Sequence, residues 1–264
     1  MKLYQIVIAV VAVALIIAGI VILLHNSNFT QQVNVSKVVF PTQSQISSTL
    51  GKGWNITGLY EENYSNAVYQ QYPGATSLYQ EYIQKGNQSV TIDVLQLNTT
   101  TTLKGIKVGK YLILANITGN STPFDLSKLE SLEVETLRDG NGLTPTLNPL
   151  LIPANQTITL LEFGNATTQN YTLYFETISY NNYYTTIDIA KSSNITYLFN
   201  YLLMSAGQNV TISSINGAKY FNLSFVSQYG GVYYTVGMKD NYLVFVQSQS
   251  SQAFQFFIKV INEV

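Results

Sequence analysis

Residues 77–83 read SLYQEYI, and residues 172–178, which lie 95 positions further along, read TLYFETI. The match continues without a gap through 77–94 and 172–189, where eight of 18 positions are identical. Self-similarity at a fixed offset is typical of a duplicated structural module. Weaker matches on both sides extend the similarity, so the sequence predicts two copies of one module, over residues 41–137 and 150–264.

Each copy has the pattern of a β-hairpin with helices after it. Apolar and polar residues alternate in Val90-Thr91-Ile92-Asp93-Val94, which is typical of a strand with one face toward a core. Turn residues at Lys85-Gly86-Asn87 and at Asn181-Asn182 predict a hairpin in each copy. Helix signals follow at Thr122, Ser193 and Ser251, where apolar residues recur at helical spacing. The expected class is α+β, with two tandem modules of antiparallel strands packed with helices.

Three further segments complete the predicted organisation. Residues 6–24 are 19 consecutive apolar residues, long enough for a transmembrane helix. With Lys2 before it, the segment predicts an anchor over residues 1–25 that binds the lipid bilayer, with the N-terminus in the cytoplasm and the C-terminal domain outside the cell. A cleaved signal peptide is the alternative. A polar stalk is expected over 26–40, and a Gly- and Pro-rich linker over 138–149.

Glycosylation sequons support the same topology. The chain contains 14 N-x-[ST] triplets, all after the apolar segment, against roughly four expected from composition alone. They predict an N-glycosylated exterior, with attachment at Asn28, Asn34, Asn55, Asn63, Asn87, Asn98, Asn116, Asn120, Asn155, Asn165, Asn170, Asn194, Asn209 and Asn222.

The composition excludes several functional classes. Charged residues are 10% of the chain, with 13 Lys and Arg against 14 Asp and Glu, which is too few basic groups for a nucleic-acid surface. The chain has no Cys and a single His, His25, so thiol nucleophiles, disulfides and Cys/His zinc sites are ruled out. Asp139-Gly140-Asn141-Gly142 lacks the spacing of a calcium loop, and Gly51-Lys52-Gly53 lacks that of a nucleotide loop. We expect neither a metal nor a cofactor.

Paired carboxylates are the one catalytic class left open. Asp93 is equivalent to Asp188, and Glu81 to Glu176, so the duplication offers two candidate acid pairs. We expect Asp93 and Asp188 to face solvent, where cross-strand polar pairing explains them without catalysis. Tyrosine clusters could form a sugar- or protein-binding surface, although strand propensity alone also explains them; they are Tyr64/Tyr69/Tyr72, Tyr180/Tyr183/Tyr184 and Tyr229/Tyr233/Tyr234.

A Cys-free chain with little charge, many Tyr, Asn, Ser and Thr, and dense sequons behind one apolar segment resembles the surface glycoproteins of thermoacidophilic archaea of the Sulfolobus group. The resemblance implies an acidic exterior in which most carboxylates are neutral. The layout is also similar to that of archaeal type IV pilins, although Lys2-Leu3-Tyr4-Gln5 lacks their cleavage site.

The sequence therefore predicts a non-enzymatic, single-pass membrane-anchored extracellular glycoprotein that binds or scaffolds other envelope proteins or glycans. A filament or virion structural subunit and an acid-active hydrolase with paired carboxylates are the alternatives. The oligomeric state is left open.

Overall fold

The computed structural model describes residues 38–63, 65–118, 125–207, 210–227 and 230–264. In these ranges the chain forms two compact units. The N-terminal unit comprises residues 38–148 and Leu161–Thr168, and the C-terminal unit comprises Pro149–Leu160 and Gln169–Val264. A short segment from the second half of the sequence thus belongs to the first unit.

The N-terminal unit contains an antiparallel sheet. In the described part of this unit, the strand order is β4-β5-β3-β2-β1-β6. Its elements are α1 (Gln43–Leu50), β1 (Asn55–Glu62), α2 (Ser65–Gln71), β2 (Ala75–Lys85), β3 (Gln88–Leu97), β4 (Ile106–Val108), β5 (Tyr111–Thr118), α3 (Ser127–Asp139) and β6 (Ile158–Thr167), whose last seven residues lie in this unit.

The C-terminal unit also contains an antiparallel sheet. Across its described residues the order is β7-β8-β12-β11-β10-β9. Its elements are β7 (Thr172–Tyr180), β8 (Tyr183–Lys191), α4 (Ile195–Ala206), β9 (Ser213–Ile215), β10 (Ala218–Ser227), β11 (Gly230–Lys239), β12 (Tyr242–Ser248) and α5 (Ala253–Glu263).

The predicted strand over Val90–Val94 is confirmed as part of β3, although its apolar and its polar residues are both buried. Val90, Ile92 and Val94 are fully or almost fully buried and belong to one core cluster with Leu129 and Val134 of α3. Strands β2 and β3 pair as the predicted hairpin. Period-two alternation and an amphipathic helix that covers the apolar face account for this half of the fold.

Helices cover both faces of the C-terminal sheet. Phe199 of α4 contacts Phe221 with 5.6 Å between ring centroids, and Phe257 of α5 contacts Tyr220 at the same distance. Because Tyr220 and Phe221 are consecutive on β10, their side chains point to opposite faces. Helices α4 and α5 therefore pack on opposite sides of this sheet, and each covers part of one face.

The hairpin predicted at Asn181-Asn182 is confirmed, since β7 and β8 pair on either side of these two residues. Both have positive φ, 50° and 65°, as a type I′ turn requires and as Asn tolerates. In the same unit, Gly237 of β11 lies under the ring of Phe257. A Cβ at Gly237 would overlap the ring carbons, so α5 packs closely only because this position has no side chain.

The predicted C-terminal helix is confirmed, although its buried stripe differs. The helix begins at Ala253. The helical spacing of Phe254, Phe257, Ile258 and Ile261 predicts these four residues on its buried face, but Phe256 and Val260 are buried in place of Phe254 and Ile258. Phe254 lies instead beside the ring of Tyr220, with 5.1 Å between centroids.

The predicted fold class is wrong. The described residues are mostly antiparallel sheet, with 46% of them in strands and 23% in helices. The longest described helix, α3, has 13 residues and a length of about 20 Å, which is short of the ~30 Å of a bilayer core.

The predicted single-pass localisation, with a cytoplasmic N-terminus and an extracellular C-terminal domain, is also corrected. No helix in the described ranges is long and apolar enough to cross a membrane, and the anchor predicted over residues 6–24 lies outside those ranges. The structure therefore does not support the predicted membrane anchor or the predicted cell-surface location.

Parts of the predicted stalk and linker belong to the core of the N-terminal unit. Val38 and Phe40, at the end of the expected stalk, are fully buried. Phe40 exchanges two backbone hydrogen bonds with Leu143, at 2.7 and 2.8 Å. Gly140 ends α3 with φ 65°, so the Asp139–Gly142 segment is a helix terminus followed by a paired bridge. The segment therefore acts as a turn.

Candidate functional site

Buried acidic side chains are the most unusual feature of both units. Eight of the 14 Asp and Glu residues are buried, namely Glu61, Glu62, Glu81, Asp93, Glu133, Glu162, Glu176 and Asp188. Acidic residues are rarely buried unless they are paired with a cation. Burial raises the pKa of six of them, Glu61, Glu62, Glu81, Asp93, Glu133 and Glu176. Among the described residues, no Lys or Arg side chain contributes to the pKa shifts of these six acids.

Two of these acids face each other on adjacent strands of the N-terminal unit. Glu62 of β1 lies directly opposite Glu162 of β6. The Tyr60 hydroxyl lies 3.0 Å from Glu62 Oε2 and 3.2 Å from Glu162 Oε2. The Tyr60 hydroxyl has only one proton to donate, so it can donate to only one of the two carboxyl groups. A proton on the other carboxyl group gives Tyr60, Glu62 and Glu162 each a hydrogen bond. Burial, followed by the charge of Glu162, raises the pKa of Glu62 to about 8.

Asp93 lies at the centre of a hydrogen-bond network on the same face of the sheet. Its carboxylate accepts hydrogen bonds from Tyr72 Oη at 3.2 Å, Gln80 Nε2 at 2.9 Å and Asn116 Nδ2 at 2.6 Å. The Tyr82 hydroxyl in turn donates to Gln80 Oε1 at 2.8 Å. Burial raises the pKa of Asp93, and these donors lower it again in part. The network fixes the orientation of the carboxyl group and leaves it little room to act on a substrate.

The expectation that Asp93 and Asp188 face solvent is wrong. They are 1% and 8% exposed, because both faces of each strand are covered. The predicted cross-strand polar pairing is found for Asp93, which lies opposite Gln80. Asp188 lies opposite Phe175 of β7 and Phe245 of β12.

Glu81 and Glu133 form a second acid pair, on the α3 side of the N-terminal sheet. Both side chains are 0% exposed, and none of their four oxygen atoms has a hydrogen-bond partner among the described residues. Burial, followed by the charge of Glu81, raises the pKa of Glu133 to about 10, and burial raises that of Glu81 well above its usual value. Two such groups are stable in an apolar core only when they are protonated.

Glu176 is the equivalent of Glu81 in the C-terminal unit, and it is also 0% exposed. Its Oε1 accepts the backbone N–H of Ile152 at 2.8 Å, while Oε2 has no partner among the described residues. Burial raises its pKa to about 8. The duplicated pairs Glu81/Glu176 and Asp93/Asp188 are each divided between the two units, and the partners named for Glu81, Asp93 and Glu176 all lie in their own unit.

The arrangement limits the chemistry that these acids can perform. Glycoside hydrolysis needs two carboxyl groups that reach the same sugar, and Glu62 and Glu162 are only 7% and 8% exposed. In the described ranges, no three His, Cys, Asp or Glu residues lie close enough to hold a metal ion. Sequence reasoning missed Glu62, Glu162 and Glu133. Only Glu162, which lies between Leu161 and Phe163, stands in an apolar segment that could have signalled its burial.

The remaining sequence candidates are scattered. Tyr72 joins the Asp93 network, Tyr180 packs edge-to-face on Phe256, and Tyr69 and Tyr183 are exposed. His25, Tyr64 and Tyr229 lie outside the described residues.

Ten of the 14 predicted glycosylation sites are described, and their occupancy stays a prediction. Exposed asparagines are Asn55, Asn87, Asn98, Asn116, Asn155, Asn170, Asn194 and Asn222; Asn63 and Asn165 are half-buried, and Asn28, Asn34, Asn120 and Asn209 lie outside the described ranges. Asn63 Nδ2 donates to Glu61 Oε1 at 2.5 Å, so a sugar there would compete with this bond. No protein-family model matches the chain, and no curated protein is similar to it in sequence.

Proposed function

We propose that the chain is a non-enzymatic structural protein that binds or scaffolds other components and works in acidic surroundings. The Glu81–Glu133 pair is the observation that supports this most directly. Two fully buried carboxyl groups without hydrogen-bond partners are costly when ionised and are tolerated when neutral. Below about pH 4.5 both the folded and the unfolded chain are protonated at these positions, so their burial then has no ionisation cost.

The scaffold part of the proposal rests on where polar groups lie. The most buried acids are enclosed by their own sheets and helices, and the Asp93 network is satisfied internally by Tyr72, Gln80 and Asn116. Such networks rigidify a fold when every member is satisfied. A rigid sheet without accessible catalytic groups fits a structural role better than a catalytic one.

The proposal predicts that the full chain is most stable at acidic pH. Thermal unfolding followed by circular dichroism from pH 2 to pH 8 tests this, with the highest unfolding temperature expected at or below about pH 4.5. A maximum near pH 7 would overturn the acidic setting.

An acid-active hydrolase is the second candidate, and the Glu62–Glu162 pair is what favours it. The raised pKa of Glu62 and its carboxyl neighbour resemble the divergent acid pair of glycosidases. A polysaccharide and protein substrate panel at pH 2–5 tests this with wild type, Glu62→Gln and, as an exposed-acid control, Glu135→Gln. Hydrolytic activity that is present in wild type and in Glu135→Gln but absent in Glu62→Gln would establish the hydrolase and refute the non-enzymatic proposal.

A further inference from the structure

The outer edge of β10 is a surface that the preceding sections leave unexplained. Strand β9 pairs only with Ala218, Lys219 and Tyr220. Strand β10 continues for seven more residues, to Ser227, and pairs along its whole length with β11 on the inner side. In the described part of the chain, no strand pairs with the outer side of residues 221–227.

The register identifies which backbone groups point outward. Ala218 and Ile215 flank the two-residue turn Asn216-Gly217, and the pair that flanks such a turn is hydrogen-bonded. Every second residue then points its N–H and C=O to the same side. The outward backbone groups on the uncovered part of β10 are therefore those of Asn222, Ser224 and Val226.

The edge also exposes large apolar side chains. Phe225 is 65% exposed and Val226 is 70% exposed. Residues 220–238 contain no charged residue and no proline, which are the usual means of blocking an edge. The outermost strand of the N-terminal sheet, by contrast, carries Lys107 within β4. One sheet edge is therefore protected in the usual way, and the β10 edge is not.

The chain leaves room beside this edge. A cleft of about 400 Å³ lies beside β10 and is lined by Val210, Thr211, Ser213, Tyr220, Asn222, Leu223 and Ser224. Phe225 and Val226 follow the residues that line the cleft, and both are exposed.

We propose that the β10 edge pairs with the β10 edge of a second copy of this chain, antiparallel and with Phe225 opposite Phe225. This inference rests on the proposed function as a structural protein and names one of its partners. Phe225 points its backbone groups to β11, so it forms a non-hydrogen-bonded pair, in which opposite side chains are closest. Ser224 of each copy then lies opposite Val226 of the other copy. These two pairs, one on each side of Phe225, form about four backbone hydrogen bonds.

The neutral charge and the symmetry of the contact support a second copy of this chain as the partner. A neutral edge brings no like charges together when it pairs with itself, whereas a charged strand would lose solvation without gaining an opposite charge. Antiparallel pairing of two identical edges is a closed twofold contact, and it covers both exposed Phe225 rings at once.

A cysteine scan tests the register, because the natural chain has no cysteine. With Phe225→Cys in the full chain, mild oxidation should yield a disulfide-linked dimer, since non-hydrogen-bonded cross-strand positions have suitable Cβ spacing. Tyr183→Cys is the matched control, because Tyr183 is also exposed, at 49%, and is the first residue of β8, next to the β7–β8 turn. We expect dimer formation at least about tenfold faster at position 225; equal rates at the two positions would overturn the proposal.

Sedimentation velocity tests the contact without a cross-link. Wild type should dimerise with increasing concentration, and Val226→Lys should weaken the dimer at least about tenfold through paired lysines at the edge. Tyr183→Lys should leave the dimer unchanged. A wild type that stays monomeric up to about 1 mM, or a Val226→Lys variant that dimerises like wild type, would overturn the proposal. Val226→Lys alters no buried acid, so the dimerisation test and the measurement of unfolding against pH are independent. Failure of one proposal leaves the other standing.

Discussion

Replacing Glu133 by glutamine should remove part of the pH dependence of folding. Glu133 is fully buried, and its pKa is raised from 4.5 to about 10. The folded chain therefore binds more protons than the unfolded chain between these two values. Stability from this group is fully present below pH 4.5 and is lost as the pH rises.

The magnitude follows from the size of the shift. Each pH unit between the unfolded and folded pKa values costs up to about 1.4 kcal/mol per group, so Glu133 alone accounts for up to about 4 kcal/mol between pH 5 and pH 8. That is a large share of the roughly 5–15 kcal/mol that holds a typical domain together. The buried amide that Glu133→Gln introduces has no partner and costs about 1–3 kcal/mol. This cost is the same at every pH, so it adds nothing to the dependence of the unfolding free energy on pH.

The assay is urea unfolding of the full chain at pH 5, 6, 7 and 8, for wild type, Glu133→Gln and Glu135→Gln. Glu135 is exposed on the same helix, two residues away, and serves as the control. We expect the free energy of unfolding to fall less steeply with pH in Glu133→Gln than in the other two proteins. Identical slopes in all three, or a wild type that gains stability from pH 5 to pH 8, would refute the reasoning.

Three further substitutions probe packing and the Asp93 network. Gly237→Ala should destabilise the C-terminal unit by about 1–3 kcal/mol in denaturant unfolding, because its methyl group overlaps the Phe257 ring; an unchanged midpoint would contradict the close packing. Phe257→Ala should cost about 3–5 kcal/mol by the same measurement, and a loss below 1 kcal/mol would show that the ring is not part of the core. Tyr72→Phe removes a donor to Asp93 and should cost about 1–2 kcal/mol, with a larger loss at pH 7 than at pH 4, whereas the exposed control Tyr69→Phe should be neutral at both.

The sequence predicted individual strands and helices better than it predicted the proportion of sheet to helix. The repeated hairpins were predictable because alternation and turn residues are local signals, as Val90–Val94 and Asn181-Asn182 show. The helical spacing around Phe257 predicted α5 for the same reason. The dominance of sheet was not predictable from these signals, because the pairing of β8 with β12 joins segments about 60 residues apart.

The buried acids were harder to predict. Asp93 alternates with apolar residues, which normally indicates a solvent-facing position, yet its face is covered as well. Burial of Glu133 depends on α3 lying over β3, β4 and β5, a tertiary contact that no local pattern encodes. The Glu62–Glu162 pair depends on β6 joining β1 across a hundred residues of sequence.

That last pairing also constrains how the chain can be made. Strand β1 receives its neighbour from Leu161–Thr168, which follows the whole 38–148 segment in the sequence. During synthesis, the N-terminal unit cannot complete its sheet until the ribosome has released residue 168, about twenty residues after the rest of that unit. A fragment that stops at residue 148 would keep every helix described for this unit and lack its last strand, with Glu62 left at an open edge.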